Sequence, residues 1–190
     1  MGFPGKRWLT LATVQACTVL FGATVTSVTV ILPQMKGALS ATQDQIAWVL
    51  TLNLVATAAA TPLTGWLAGK LGWRRLMLGS VIGFTLASVA CGLAESLETL
   101  LVFRVIQGAL GAPIFPLGQS IILARFERAQ HPMALMMWGV GGVMGPILGP
   151  TFGGVVADLL GWRWSFYMIL PLGALACLPV ILSLGNEEKG

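Results

Sequence analysis

Gly139-Val-Gly-Gly-Val-Met-Gly-Pro-Ile-Leu-Gly-Pro-Thr-Phe-Gly-Gly154 poses the sharpest choice in the chain. Gly141, Gly145, Gly149 and Gly153 recur every fourth residue, with Pro146 and Pro150 set between them. Positions four apart share one helix face, so as a helix this stretch carries a ridge with no side chains. In water such a helix is ruinous, at about 1 kcal/mol per glycine and about 3 per proline. Inside a bilayer it is tolerated, because neighbouring helices and local adjustments re-satisfy the freed backbone groups. Small residues at this spacing also let a second helix backbone come close. The stretch is therefore either a loop or a tightly packed, bendable membrane helix.

Composition decides for the helix. Of 190 residues, 56% are hydrophobic and 9% charged, with a mean hydropathy of +0.84. Soluble domains carry about 25% charged residues, so this chain cannot build a water-facing surface and reads as an integral all-α membrane protein. Its net charge of +4 reflects membrane topology, not a nucleic-acid footprint. Cys17, Cys91 and Cys177 lie far apart inside apolar segments, without metal-ligand spacing, and read as packing residues. Neither a cofactor nor a metal site is expected.

Working outward, six apolar segments approach the roughly 20 residues needed to span a bilayer. They cover approximately 8–32, 46–67, 76–94, 97–124, 133–157 and 164–184, and together make residues 1–190 one six-helix bundle. All seven tryptophans fall at or near segment ends, as an interfacial belt requires. Lys6, Arg7, Lys70, Arg74, Arg75, Arg125, Arg128 and Lys189 fall on one side; Lys36 and Arg163 fall on the other. Eight against two predicts both termini in the cytoplasm.

The run Gly65-Trp-Leu-Ala-Gly-Lys-Leu-Gly-Trp-Arg-Arg75 aligns without gaps on Gly154-Val-Val-Ala-Asp-Leu-Leu-Gly-Trp-Arg-Trp164, matching at six of eleven positions. The copies end segments 2 and 5, on opposite sides of the membrane. Two three-helix units of opposite orientation mark an inverted-repeat transporter fold.

The first copy resembles the loop 2–3 motif of the major facilitator superfamily, Gly-x-Leu-Ala-Asp-x-x-Gly-Arg-(Arg/Lys). Gly65, Leu67, Ala68, Gly72, Arg74 and Arg75 match, and Lys70 adds a further cation. Gly69 replaces the family's acid, and Trp73 stands where a basic residue is usual. The resemblance implies a conformational latch for the outward-facing state, incomplete here without the carboxylate. Segment 4 carries Arg104, Gln107 and Gly108 in a pattern similar to Arg-x-x-Gln-Gly. From position alone, Arg104 either snorkels to the outer interface or faces the bundle interior; the resemblance implies an interior arginine concerned with proton coupling. The opening ridge, extended to Gly154, resembles the segment 5 motif of drug:proton antiporters. Gly161-Trp-Arg-Trp-Ser-Phe166 and Pro171-x-Gly173, with Trp48 to Thr51 and Pro62 to Leu67, are similar to the EmrB/QacA-type branch.

Segment 1 departs from that branch. Aligned on Pro33, Thr24 and Thr29 occupy positions where an Asp and an Asn are usual. The seven acidic residues all lie in connections or near segment ends, so no obvious proton-titrating group sits at mid-membrane. Interior polar residues are Gln15, Thr18, Thr24, Asn53, Thr57, Gln107 and Gln119. Of these, Thr24, Asn53 and Gln119 are the substrate-path candidates, although each threonine hydroxyl can equally bond its own helix.

The resemblance implies one half of a two-half fold, the N-terminal six helices of a multidrug-type efflux transporter. Its cargo would be small amphipathic molecules, moved by alternating access in a bacterial inner membrane. The chain then works with a second six-helix half or a second copy, and reads as truncated or as a half-size product, closing on a polar tail at 185–190. The alternatives are a non-transporting membrane scaffold or partner-binding unit, and an uncoupled facilitator. No carboxylate pair, metal cluster or Ser–His arrangement points to an enzyme.

Overall fold

The computed structural model describes residues 4–183; the polar tail at 185–190, with Lys189, lies outside the described residues. Among the described residues nine α-helices follow in order: α1 Pro4–Ala38, α2 Gln43–Ala60, α3 Leu63–Leu71, α4 Trp73–Leu93, α5 Leu97–Gly111, α6 Ile114–Arg125, α7 His131–Leu160, α8 Trp164–Tyr167 and α9 Ile169–Ser183. No strand occurs among the described residues.

Prolines decide where the expected segments break. Segment 2 is bent by 58° between α2 and α3, at Thr61-Pro62, where the ring removes one amide donor and crowds the preceding turn. Segment 4 is interrupted at Ala112-Pro113, and segment 6 opens with the four-residue α8 before α9. Segment 1 runs through Pro33 to Ala38 and segment 5 spans 131–160, both beyond the bounds expected from hydropathy. Among the described residues four stretches are long and apolar enough to cross a bilayer, namely Arg7–Ala38, Trp73–Leu93, Leu97–Arg125 and Arg128–Leu160; the bent pair α2–α3 makes a fifth, and Trp164–Leu178 is shorter.

Helix starts at one end of the bundle are built by side chains. Thr42 and Gln45 form a capping box on α2, and Ser96 and Thr99 form the equivalent on α5, each satisfying amides that the first helical turn leaves open. Asp44 and Glu98 in those first turns complement the positive end of the helix dipole.

The ridge is helical throughout α7, and segment 1 explains why. A Cβ on Gly145 would sit 2.9 Å from the Val19 carbonyl oxygen and 3.2 Å from Gly22 Cα; one on Gly141 would strike Gln15 and one on Gly153 would reach Ser27 Cβ at 2.5 Å. Gly149 lies against the Ala23 carbonyl and the Thr26 hydroxyl. The approach is mutual, since a Cβ on Gly22 would meet Pro146 Cδ at 3.0 Å. Met133, Met136, Met137 and Met144 of α7 are exposed on the bundle surface.

Helix pairing follows a pattern of exchange. Segment 1 packs most extensively on segment 5 (α1 on α7), and segment 2 on segment 4 (α2 on α5). Segment 3 touches segments 4 and 6, and segment 6 touches segment 1 (α4 on α5 and α9, α9 on α1). Two apolar cores result. One gathers Val14, Met77, Phe84, Ile114 and Ile121 toward the end holding the N-terminus; the other gathers Ile31, Val49, Leu100, Trp162 and Phe166 at the opposite end.

The two copies of the sequence repeat share a local geometry. Gly72 has φ 78° and ψ 154°, and Gly161 has φ 93° and ψ 157°. Their N–H groups donate at 2.9 Å to the buried Ala68 and Ala157 carbonyls respectively. Such backbone angles belong almost wholly to glycine, so each copy ends its helix and starts the next by the same device.

Candidate functional site

A polar ladder joins α2 to α5. Val49, Asn53 and Thr57, four apart on α2, face Arg104 and Gly108, four apart on α5, as the helical period requires. The Arg104 guanidinium donates from Nε to the Val49 carbonyl at 3.1 Å and from Nη1 to Gln107 Oε1. In return, Asn53 Nδ2 donates to the Arg104 carbonyl at 2.9 Å. The Thr57 hydroxyl lies within bonding distance of both the Gly108 carbonyl, at 3.1 Å, and the Asn53 carbonyl, at 2.8 Å. Gly108 has no room for a side chain, because a Cβ would run into the Asn53 carbonyl.

Arg104, Gln107 and Asn53 are fully buried. A cation in hydrocarbon costs at least about 2.5–3.5 kcal/mol at the bilayer centre, so its hydrogen bonds to α2 are what make burial tolerable. No carboxylate joins the cluster; the one ion pair among the described residues is Arg7–Glu127 at 3.0 Å. Arg104 Nη2, Gln107 Nε2 and Asn53 Oδ1 are buried without a hydrogen-bond partner among the described residues. Cys91 Sγ lies 4.0 Å from Gln107 Oε1, a neighbour that hydropathy reading placed only as packing.

The other substrate-path candidates fall elsewhere. Thr24 is buried, and its hydroxyl donates to the Leu20 carbonyl at 2.7 Å, so its polarity is spent within its own helix. Gln119 is exposed on the surface of the bundle rather than among its interior polar groups. Loop 2–3 runs through α3, where Lys70 lies over the Trp66 ring at 3.9 Å. Cβ atoms added at Gly65 and Gly69 would meet nothing within 4 Å, so sterics do not exclude an acid at position 69.

Sequence reading missed what Arg163 does. It donates from Nε to the Gly92 carbonyl at 3.0 Å and from Nη2 to the Ala94 carbonyl at 2.9 Å, and stacks on Trp162 at 4.8 Å. It thereby satisfies carbonyls that the end of α4 leaves open. Gly161-Trp-Arg163 directly after a helix was the available signal, used in the sequence for the repeat, the charge count and the branch resemblance but not for this contact. Two clefts were also invisible. One of about 560 Å³ lies between α1, α7 and α9, with walls such as Leu20, Phe152, Met168 and Leu172. The other, of about 220 Å³, lies between α1, α6 and α7. No group of three or more potential metal ligands occurs among the described residues.

Comparison with known proteins places this geometry. The profile of the Major Facilitator Superfamily matches residues 15–190. The chain is 41% identical to the multidrug export protein EmrB of Haemophilus influenzae over 160 residues, covering 84% of this chain and 31% of that protein. Against EmrB of Escherichia coli K12 it is 40% identical over 159 residues, again 84% and 31% of the two chains. Against the fatty acid resistance protein FarB of Neisseria gonorrhoeae it is 38% identical over 147 residues, 77% and 29% of the two. The chain thus spans about a third of the length of these relatives. Its fold is similar to that of a bacterial homologue of the human lysosomal transporter Spinster, solved inward-facing and unoccupied, with a TM-score of 0.81 and 23% identity over 100% of this chain and 45% of that one. With its apolar helices, glycine ridge and loop 2–3 motif, the chain is an integral membrane protein that belongs to the major facilitator superfamily, among the relatives of the multidrug exporters.

Proposed function

We propose that the chain is the N-terminal six-helix half of a multidrug-type exporter that moves small amphipathic molecules across a bacterial inner membrane by alternating access. The observation that carries this is identity of about 40% to multidrug export proteins, sustained over 84% of the chain. A 3+3 inverted repeat is supported by the exchange of helix partners, because swapping segments 1, 2, 3 with 4, 5, 6 turns the 1–5 contact into the 4–2 contact. The matched glycine turns at Gly72 and Gly161 support it independently.

In this reading Arg104, with Gln107 and Gly108, is the candidate for proton coupling, held against segment 2 by its bond to the Val49 carbonyl. Gly65 to Arg75 form the conformational loop, and the ridge from Gly141 to Gly154 is the seam on which segment 1 seats. Of the three substrate-path candidates, Gln119 is the exposed one, whereas Thr24 and Asn53 are buried and bonded within the bundle and bear on a path only through the helices they hold. The partners are the bilayer, the cargo, and a second six-helix half or second copy; both termini face the cytoplasm, by the positive-inside rule. No covalent chemistry is assigned to the chain. A non-transporting membrane scaffold or partner-binding unit is the second reading, favoured by Thr24 and Gly69 at positions where the resemblance implies acids, and an uncoupled facilitator is the third.

The test is uptake of a lipophilic fluorescent dye into proteoliposomes, with and without a pH gradient, for the chain alone and with a second six-helix half. Gradient-driven uptake supports the exporter, and uptake indifferent to the gradient supports the facilitator. Absence of uptake in every arrangement leaves a non-transporting scaffold and overturns both.

A further inference from the structure

Arg163 opens segment 6 by holding the far end of segment 3. It stands two residues after the Gly161 turn that closes α7, and donates to the Gly92 and Ala94 carbonyls at 3.0 Å and 2.9 Å. The end it serves has no cation of its own, since the last turn of α4 carries no basic residue. Arg74 stands two residues after the matching turn, at Gly72, which closes α3. The register that sets Gly72 on Gly161 and Arg74 on Arg163 sets Gly92 on Ile181 and Ala94 on Ser183. Both lie in the last turn of α9, which again carries no basic residue.

Packing brings Arg74 to that turn independently of the repeat. Gly92 faces the Tyr167 ring, Ser88 Oγ reaches the Phe166 carbonyl at 3.4 Å, and Gly173 faces Thr85. Segments 3 and 6 therefore run antiparallel. About 16 Å of helix separates Thr85 from Arg74, and the same length of α9 counted from Gly173 ends at its final turn. Arg74 is half-buried, whereas its neighbour Arg75 is exposed. The last carbonyls of a helix have no partner within it, and in a bilayer leaving them unpaired is costly. The negative end of the helix dipole favours a cation, and a guanidinium fork can serve two carbonyls at once, as Arg163 does.

We propose that Arg74 positions the end of segment 6, donating to the open carbonyls at Ile181 and Ser183 as Arg163 donates to those of Gly92 and Ala94. One arginine then clamps the pair at each face of the bundle. Segments 3 and 6 form a strut that cannot slide along its own seam without breaking charge-assisted hydrogen bonds at both ends. The clamp does not depend on the exporter reading, and its test needs no transport.

Hydrogen–deuterium exchange of the purified chain in nanodiscs, resolved by peptide, is the experiment. Arg74→Gln is expected to speed exchange about tenfold, equivalent to about 1.4 kcal/mol, in the peptide holding the last turn of α9, and to leave the end of α4 unchanged. Arg74→Lys keeps the charge but not the fork, and should restore protection to within about threefold of the parent. Arg75→Gln removes an equal charge from the same loop and should change neither end. If Arg74→Gln does not fold, by thermal unfolding, Arg74→Lys decides in its place, with a smaller change confined to the end of α9. Exchange at the end of α9 that ignores Arg74, an equal response to Arg75→Gln, or faster exchange spread evenly over the bundle overturns the clamp.

Discussion

Replacing Gly145 by alanine isolates what the ridge contributes. The added methyl would lie 2.9 Å from the Val19 carbonyl oxygen, 3.2 Å from the Ala23 nitrogen and 3.2 Å from Gly22 Cα. All three are backbone atoms of α1, so no rotamer change relieves them, and two helices must separate by a few tenths of an ångström. Overpacking of this kind costs about 1–3 kcal/mol, against a propensity gain of at most about 1 kcal/mol for alanine over glycine. Gly139→Ala supplies the control, because nothing lies within 4 Å of its added Cβ and only the propensity gain applies. The two variants should therefore differ by the steric cost alone, about 1–3 kcal/mol. For a chain of this size that corresponds to roughly 2–12 °C in Tm. Thermal unfolding in detergent, followed by tryptophan emission or thiol accessibility of the buried Cys17, reads the difference. If Gly145→Ala unfolds at or above the temperature of Gly139→Ala, the ridge is not a close seam, and small residues there are merely tolerated.

The matched turns make a paired prediction: Gly72→Ala and Gly161→Ala should each lose about 1–3 kcal/mol, and a large disparity in denaturation midpoint would separate the two copies. Arg163→Gln should free the Gly92 and Ala94 carbonyls at the end of α4 and cost about 1–3 kcal/mol. Its hydrogen-exchange signature should appear at the end of α4, and unchanged protection there would refute the capping role. Arg104→Lys keeps the charge but not the fork that bonds Val49 and Gln107 together. A loss of about 1–3 kcal/mol is expected, against less than about 0.5 for Arg128→Lys at an exposed site; equal unfolding temperatures would show that the fork is not needed.

Periodicity made much of this architecture legible. Glycines four apart in segment 5 predicted a helix able to seat another backbone, and composition alone excluded a water-facing surface. The Gly65 and Gly154 runs disclosed a repeat whose turns carry the same unusual backbone angles. What hydropathy could not show is where a segment bends: Pro62 and Pro113 sit within apolar runs, and their effect on backbone geometry leaves mean hydropathy untouched. Polar residues were harder still. Thr24 and Asn53 look alike as buried hydroxyl and amide in a sequence, yet one bonds its own helix and the other crosses to α5. Gln119 faces outward because the buried positions Ile114, Leu117, Gly118, Ile121 and Ile122 carry on the spacing of Leu100, Arg104, Gln107 and Gly111 and leave it off that face. The cleft between α1, α6 and α7 draws on three distant segments, and no local pattern announces it.

The glycine seam leaves α7 with two kinds of contact. Along Gly141 to Gly153 it meets α1 backbone to backbone, with no side chain to reshape, so that this contact admits a single fit. Toward its start the same helix exposes Met133, Met136, Met137 and Met144, whose unbranched, polarizable side chains adapt to irregular neighbours. One helix thus joins a stretch that dictates its partner's register to a stretch that accepts many.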